Sequence, residues 1–190
     1  MKANYSNSAI LNNAVVNAYV DKVLQDRDLT LELKKFIETP LMYILDNLEI
    51  DRFLIGGTSA LMMCYNIPIR KEINDVDIII TEDSLKIAKN KIENVPFYSI
   101  VEKFNNYNRY DINSHIKIKC IQGFAVDLIS VPTETFDTIY RDASLLNFLR
   151  YCPLINILKT KNEWRRQKDL DDLFFIEKWF EIMGIKKIER

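Results

Sequence analysis

The sequence INDVDIII occupies residues 73–80 and is rich in β-branched side chains, which predicts a β-strand. Because side chains alternate between the faces of a strand, Asp75 and Asp77 project from one face, while Val76 and Ile78 point into the core. Two carboxylates this close repel each other by roughly 4 kcal/mol at an effective dielectric of about 20 and a separation of about 4 Å. A bridging cation relieves that repulsion, and all-oxygen coordination suits Mg²⁺ or Mn²⁺ better than Zn²⁺.

A third acidic residue repeats this pattern further along the chain. Asp127 is the lone charge in the run FAVDLI at residues 124–129, which predicts another strand. A carboxylate among apolar neighbours is costly unless it has a partner. If this strand lies beside that of Asp75 and Asp77, three carboxylates converge and can hold two divalent ions about 3.5–4 Å apart.

A glycine turn precedes the acidic strand. Residues 52–55 predict a short strand that leads into Gly56-Gly57-Thr58-Ser59 and then into a helix over residues 60–65. The two glycines permit close approach of the backbone, and the start of a helix presents free N–H groups to a phosphate. Taken alone, the turn is more often structural, but together with the carboxylates it favours a phosphate site.

Length and composition limit the kind of protein. The chain has 190 residues, of which 48% are hydrophobic and 28% charged, values typical of a globular domain. The net charge of -1 argues against a general binder of nucleic acids or membrane surfaces. The three cysteines, Cys64, Cys120 and Cys152, lie in apolar stretches without a Cys-x-x-Cys pair, which favours buried free thiols. With no apparent signal peptide or membrane span, we expect a cytoplasmic protein that does not bind membranes.

The pattern of elements predicts three regions. Residues 1–50 form a helical segment packed on the core, residues 51–150 form the core, and residues 151–190 form C-terminal helices that complete the site. Further strands are predicted at 97–103, 115–121 and 124–131, the last two joined by a tight hairpin at Gln122-Gly123. The C-terminal helices are predicted at 154–167 and 169–183. We therefore expect an α/β fold with a small mixed sheet flanked by helices.

Two sets of residues resemble a known group of enzymes. The G-G-[ST]-x-A-L turn at residues 56–61, the D-x-D strand and the later aspartate resemble the polymerase-β-like nucleotidyltransferase superfamily. The C-terminal pattern of Lys159, Arg165-Arg166 and KDLDDL at residues 168–173 resembles that of the AbiEii/AbiGii-type toxins of abortive-infection and toxin–antitoxin systems. The resemblance covers about residues 50–180. It implies a nucleotidyltransferase fold. It also implies that the paired aspartates bind Mg²⁺, that the glycine turn binds the triphosphate of the nucleotide, and that a C-terminal lysine and aspartate complete the site.

The resemblance also implies an activity and a set of site residues. The expected reaction is metal-dependent transfer of an NMP from an NTP to RNA, tRNA or protein, in a toxin restrained by a cognate antitoxin protein. The metal ligands would be Asp75, Asp77 and Asp127. These three, with Lys159 and Asp169, would be the catalytic residues, and the nucleotide would be bound by Gly56, Gly57, Thr58, Ser59, Arg70, Lys71 and Arg166.

Two other functions fit the same residues. One is a degenerate transferase that only binds a nucleotide or a partner, and the other is an enzyme that modifies a small molecule such as an antibiotic. Three acids on apolar strands argue against a degenerate site.

The alternation of His115, Lys117 and Lys119 gives one strand a basic face, which we predict to be a solvated outer face rather than an RNA contact. Lys159 and Arg166 are predicted to share one helical face.

Overall fold

The computed structural model describes residues 41, 44–69, 75–92, 98–107, 112–120, 125–146 and 148–185. Within them the chain forms seven strands and five helices of seven residues or more. The strands are β1 Leu54–Ile55, β2 Asp75–Thr81, β3 Tyr98–Tyr107, β4 Ile112–Cys120, β5 Ala125–Val131, β6 Ser144–Leu146 and β7 Leu149–Tyr151. The helices are α1 Gly57–Met63, α2 Glu82–Lys91, α3 Thr133–Arg141, α4 Leu154–Trp164 and α5 Gln167–Ile182.

The seven strands make one mixed sheet in the order β3-β4-β5-β2-β1-β7-β6. β2 and β5 run parallel at the centre, β7 runs parallel to β1, and the other neighbouring pairs are antiparallel. The predicted α/β class with a mixed sheet between helices is therefore confirmed. Because β1 runs antiparallel to β2, the end of β1 and the starts of β2 and β5 meet at the same edge of the sheet.

The central strand β2 separates the core from the polar face, as its alternation predicts. Val76, Ile78 and Ile80 are fully buried in the core, whereas Asp75 and Asp77 lie on the opposite face. The core also buries apolar side chains that precede the sheet in the chain: Leu41, Ile44, Leu45, Leu48 and Ile50. The end of the N-terminal segment thus packs on the core, while residues 1–40 lie outside the described residues.

The C-terminal helices lie close to their predicted positions, but the residues that separate the two helices come earlier in the chain than predicted. Arg165 takes a left-handed conformation with φ 50° and ends α4, and Arg166 is the N-cap of α5. α4 therefore ends three residues earlier than predicted, and α5 begins two residues earlier. Since Arg166 has left the first helix, it does not share a helical face with Lys159.

Several smaller features complete the comparison with the sequence. β4 and β5 pair antiparallel, as the predicted hairpin requires, although its turn at residues 121–124 lies outside the described residues. Cys152 is a buried free thiol, as expected, and burial raises its pKa to about 12. Cys64 is half-buried and forms no disulfide bond with the described residues. No helix in the described part of the chain is both long and apolar enough to traverse a bilayer.

Candidate active site

The sheet places the three predicted acidic residues on one face of two neighbouring strands. Asp77 in β2 and Asp127 in β5 are register partners in the parallel ladder, so their side chains project side by side. Asp75 lies two residues earlier in β2 and projects from the same face. Asp127 is buried, Asp77 is half-buried and Asp75 is exposed, so the group runs from the interior to the surface.

The glycine turn lies directly against the acidic strand. The Gly56 N–H donates a hydrogen bond to the Asp77 carbonyl at 2.8 Å. Gly57 has φ +54°, and a Cβ built on it would overlap the Asp77 carboxylate. The backbone of the turn therefore approaches this carboxylate more closely than any other residue type would allow.

The two hydroxyl residues of the turn have different surroundings. The buried Ser59 hydroxyl donates a hydrogen bond to the Asp75 carbonyl at 3.1 Å and so anchors α1 to the start of β2. Thr58 is half-buried at the start of the helix. Ser59 thus has a structural partner, whereas the predicted role of both residues in phosphate binding stays a prediction.

The protonation of Asp77 reflects its crowded position. Burial, followed by the negative charges of Asp127 and Asp75, raises the pKa of Asp77 to about 6. The positive charges of Lys161 and Lys168 act in the opposite direction but do not outweigh them. Burial and the repulsion among the three acids therefore make the ionised form of Asp77 more costly than that of an ordinary aspartate, although at physiological pH most of it is still ionised.

Strand β4 supplies two basic side chains that face the acids. Lys117 Nζ lies 3.4 Å from Asp75 Oδ2 and 3.5 Å from Asp127 Oδ2, and it is a register partner of Asp127. His115 Nε2 lies 3.5 Å from Asp127 Oδ1. The prediction that these residues form a solvated outer face is wrong, because β4 pairs directly with β5 and its basic face adjoins the carboxylates.

The acidic group suits a divalent ion in its chemistry, but its side chains are not arranged as a finished metal site. Asp127 Oδ1 is buried without a hydrogen-bond partner in the described part of the structure, and the pKa of Asp77 is raised. Both conditions would be relieved by a bound cation. No three His, Cys, Asp or Glu side chains among the described residues are placed to hold a single ion. The Lys117 ammonium lies between Asp75 and Asp127 instead.

The sequence predicts a site role for Lys159, but the described lysines that act on the acids include Lys117, Lys161 and Lys168. The side chain of Lys159 is 72% exposed, pairs with Glu163 at 3.9 Å and borders an apolar groove between α4 and α5. Lys161 is buried, and its charge lowers the pKa of Asp77. A lysine in the last turn of an otherwise ordinary helix carries little signal in the sequence, and the buried face of α4 becomes evident only once α5 is placed.

The predicted residues Asp169 and Arg166 pair with each other at the junction between the two helices. Arg166 donates to both carboxylate oxygens of Asp169, at 2.6 and 3.0 Å, and its guanidinium stacks on Trp164. Asp169 is fully buried, and Lys161 Nζ lies 3.7 Å from it and 2.7 Å from Asp172. Burial alone would raise the pKa of Asp169, but the hydrogen bonds and charge of Arg166, with the charge of Lys161, lower it.

These contacts describe a scaffold around Lys161. The structure does not place the carboxylate of Asp169 where it faces solvent, nor does it leave Arg166 without a partner. Arg70 and Lys71, the other predicted nucleotide contacts, lie outside the described residues. The predicted residues that the structure brings together around the acidic group are those on β2 and β5 and in the glycine turn, whereas Asp169 and Arg166 pair with each other.

Comparisons with known proteins bear on the fold. No family model and no curated protein matches the chain significantly. Among solved structures, it is similar to a candidate nucleotidyltransferase from H. pylori, with 16% identity over 76% of this chain and 68% of that one and a TM-score of 0.44. It is also similar to JHP933 from Helicobacter pylori, with 14% identity over 85% and 68% of the two chains and a TM-score of 0.46.

A third similar structure is the Megavirus polyadenylate synthase, with 13% identity and a TM-score of 0.50. The match covers 100% of this chain and 41% of that one. At this identity the likeness concerns the fold, and the chain has a nucleotidyltransferase fold, as predicted. The closer relation to the AbiEii-type toxins stays a prediction.

Proposed function

We propose that this protein is a metal-dependent nucleotidyltransferase that moves an NMP from an NTP to an acceptor and releases pyrophosphate. One observation supports this above the others. Asp77 and Asp127 are register partners on parallel strands, with Asp75 beside them and the backbone of Gly57 against the Asp77 carboxylate. The arrangement places acidic ligands for divalent ions beside a turn with room for phosphates. The fold is similar to that of a polyadenylate synthase, which agrees with nucleotidyl transfer.

The residues that would hold Mg²⁺ or Mn²⁺ are Asp75, Asp77 and Asp127. The buried oxygen of Asp127 without a hydrogen-bond partner in the described structure and the raised pKa of Asp77 support this assignment. A divalent ion bound there would supply charge neutralisation for the triphosphate and for the leaving pyrophosphate. The carboxylates would then be fully ionised.

The chain's own residues would orient the nucleotide. The turn at Gly56 and Gly57 offers a backbone without side chains beside the acids, which leaves space for the phosphates. Lys161 and Lys168 lie close enough for their charges to act on Asp77 and would also attract the anionic substrate. Arg166, Asp169 and Asp172 would position Lys161 rather than contact the substrate.

The proposed reaction forms one bond to the α-phosphorus of the NTP and breaks another. The acceptor oxygen attacks the α-phosphorus of the NTP, and the bond between the α-phosphorus and the bridging oxygen to the β-phosphate breaks. Pyrophosphate leaves with that oxygen, and the acceptor hydroxyl gives its proton to Asp127. Asp127 is suited to this role because one of its carboxylate oxygens accepts no hydrogen bond from the described residues.

The acceptor that we propose is RNA or tRNA, with a protein as the second choice, in a toxin restrained by a cognate antitoxin. The C-terminal pattern that resembles the AbiEii-type toxins supports the toxin role, and the fold shared with a polyadenylate synthase agrees with an RNA acceptor. Expression in bacteria should therefore slow growth. Equal growth arrest by the wild type and by Asp77→Ala would show that any toxicity does not depend on the transfer reaction.

The activity itself is tested by incubating the protein with each labelled NTP, Mg²⁺ and pools of cellular RNA, protein or small molecules. We expect label to be transferred to one pool with release of pyrophosphate. Asp75→Asn combined with Asp77→Asn should abolish the transfer, whereas Asp83→Asn, on the exposed side of α2, should not. Transfer to the small-molecule pool alone would identify an antibiotic-modifying enzyme. NTP binding without transfer to any pool would favour a binding module.

A further inference from the structure

Lys117 contacts two of the three acids proposed to hold the metal ion. Its ammonium lies 3.4 Å from Asp75 Oδ2 and 3.5 Å from Asp127 Oδ2, so a side chain from β4 reaches across β5 to an acid on β2. The side chain is 28% exposed, the Asp127 side chain 10% and the Asp75 side chain 51%. Lys117 therefore lies at the boundary between the buried and the exposed part of the acidic group.

Its contacts differ from those of lysines that form simple ion pairs. Lys86 and Lys178 each contact a single acid on their own helix, at 2.8 and 2.7 Å. Lys117 contacts two acids on two strands, both at longer distances, as expected for a cation shared between them. Burial alone would lower the pKa of Lys117, but the charges of Asp127 and Asp75 raise it, so the side chain is cationic.

We propose that Lys117 is a tethered counter-cation that holds Asp75 and Asp127 together in the metal-free protein and that a divalent ion must displace. A divalent ion held by Asp75 and Asp127 would use the carboxylate oxygens that the ammonium now contacts. Because two cations at the same carboxylates repel each other, the ammonium would move away on its flexible four-carbon stem when the ion binds. Competition with the Lys117 ammonium therefore lowers the affinity of the three carboxylates for a divalent ion, and removing the charge of Lys117 should raise that affinity.

This inference rests on the proposed function, because it assumes a divalent ion at the carboxylates. Its first test is the affinity for Mn²⁺, measured by calorimetry without nucleotide, in the wild type, Lys117→Met and Lys86→Met. Methionine keeps a long unbranched stem without the charge, and Lys86 provides a matched control on an exposed helix. We expect Lys117→Met to bind Mn²⁺ at least about tenfold more tightly than the wild type, and Lys86→Met to match the wild type within about twofold.

The second test uses the wild type alone and does not require a variant to fold. Amine acetylation of each lysine is followed by mass spectrometry with and without Mg²⁺. We expect Mg²⁺ to raise the labelling rate of Lys117 by about fivefold or more relative to Lys86, because the displaced ammonium enters solvent.

The outcomes separate this inference from the proposed function. If wild type and Lys117→Met bind Mn²⁺ equally well, and Mg²⁺ leaves the labelling of Lys117 unchanged, the tethered-cation role is wrong while the metal site stands. If neither protein binds Mn²⁺, both the inference and the metal-dependent activity are overturned. Tighter binding by Lys117→Met together with faster labelling of wild-type Lys117 would support both.

Discussion

Two groups of charged residues are partly buried in this protein, and their charges are balanced in different ways. The helix cluster, formed by Lys161, Arg166, Asp169 and Asp172, places two carboxylates against two cations with contacts as short as 2.6 and 2.7 Å. The strand cluster, formed by Asp75, Asp77, Asp127 and Lys117, places three carboxylates against one lysine at 3.4 and 3.5 Å.

This difference distinguishes a cluster whose charges balance one another from a cluster whose charges do not. In the helix cluster the charges satisfy each other, and the pKa of Asp169 is lowered. In the strand cluster they do not, and the pKa of Asp77 is raised to about 6. A protein selected only for stability has no reason to retain a group of mutually repelling carboxylates. The excess negative charge therefore marks the strand cluster as the place where a cationic ligand binds.

The largest expected effect concerns the helix cluster and the free energy of unfolding. Asp172→Ala removes the 2.7 Å partner of the buried Lys161 ammonium. Breaking a buried ion pair by removing one partner costs about 3 kcal/mol or more, because the other charge remains buried. The control Asp171→Ala, which removes a side chain bonded to Gln167 on the surface of α5, should cost less than about 1 kcal/mol. Denaturant unfolding measures both values, and equal losses would show that the helix cluster is not a stabilising unit.

The second effect concerns the strand cluster and catalysis. Asp127→Asn keeps the side-chain volume, removes one charge and relieves repulsion, so the free energy of unfolding should not fall. We expect nucleotide binding within about tenfold of the wild type and a loss of transfer of at least about a hundredfold, roughly 2.7 kcal/mol of barrier. A nucleotide-binding isotherm and pyrophosphate release measure the two quantities. Release at the wild-type rate would remove Asp127 from the mechanism.

The glycine turn allows a third, smaller test with a control in the same chain. Gly57 and Gly184 both have positive φ, at +54° and +66°, but only a Cβ at Gly57 would meet the Asp77 carboxylate. Gly184→Ala should lower the free energy of unfolding by about 1 kcal/mol through backbone strain alone, and Gly57→Ala by about 2 kcal/mol. Thermal unfolding and pyrophosphate release are measured for each. Transfer should fall only in Gly57→Ala, and a similar fall in Gly184→Ala would contradict a local role of the turn.

The sequence was sufficient to predict the strand cluster because the signal is local. Asp75, Asp77 and Asp127 are single charges within runs of β-branched residues, and alternation fixes the face on which each carboxylate lies. The fold class followed from the same strands. The adjacency of β2 and β5, on which the site depends, was a hypothesis at that stage, and the parallel ladder confirms it.

The residues that sequence reasoning missed depend on contacts that appear only in the folded chain. Lys117 was predicted to face solvent although the hairpin between β4 and β5 was itself predicted, because the register that makes Lys117 the partner of Asp127 could not be read from the sequence. The sequence pattern indicated Lys159 rather than Lys161, because the face of α4 that is buried depends on how α4 packs against α5. The strands β6 and β7 have three residues each, too few to show a period.

The last prediction uses the pH dependence of stability to measure the cost of ionising Asp77, which comes from its burial and from repulsion by Asp127 and Asp75. The pKa of Asp77 is about 6 in the folded protein and about 3.9 in the unfolded chain. Between these values the folded state binds more protons, so the contribution of Asp77 to the free energy of unfolding falls as pH rises through this window. After allowance for its partial exposure, the loss should be about 1–2 kcal/mol.

Asp77→Asn removes this titration, so the variant should match the wild type near about pH 4 and become more stable than it near about pH 7.5. Both proteins are unfolded in urea with EDTA present at the two pH values, and Asp83→Asn serves as the control on an exposed helix. Adding Mg²⁺ should then stabilise the wild type and reduce the difference, since a bound cation offsets the same repulsion. A difference between the wild type and Asp77→Asn that stays constant with pH would show that the carboxylates of the strand cluster do not repel one another in the folded protein. In that case the comparison between the two clusters would lose its physical basis.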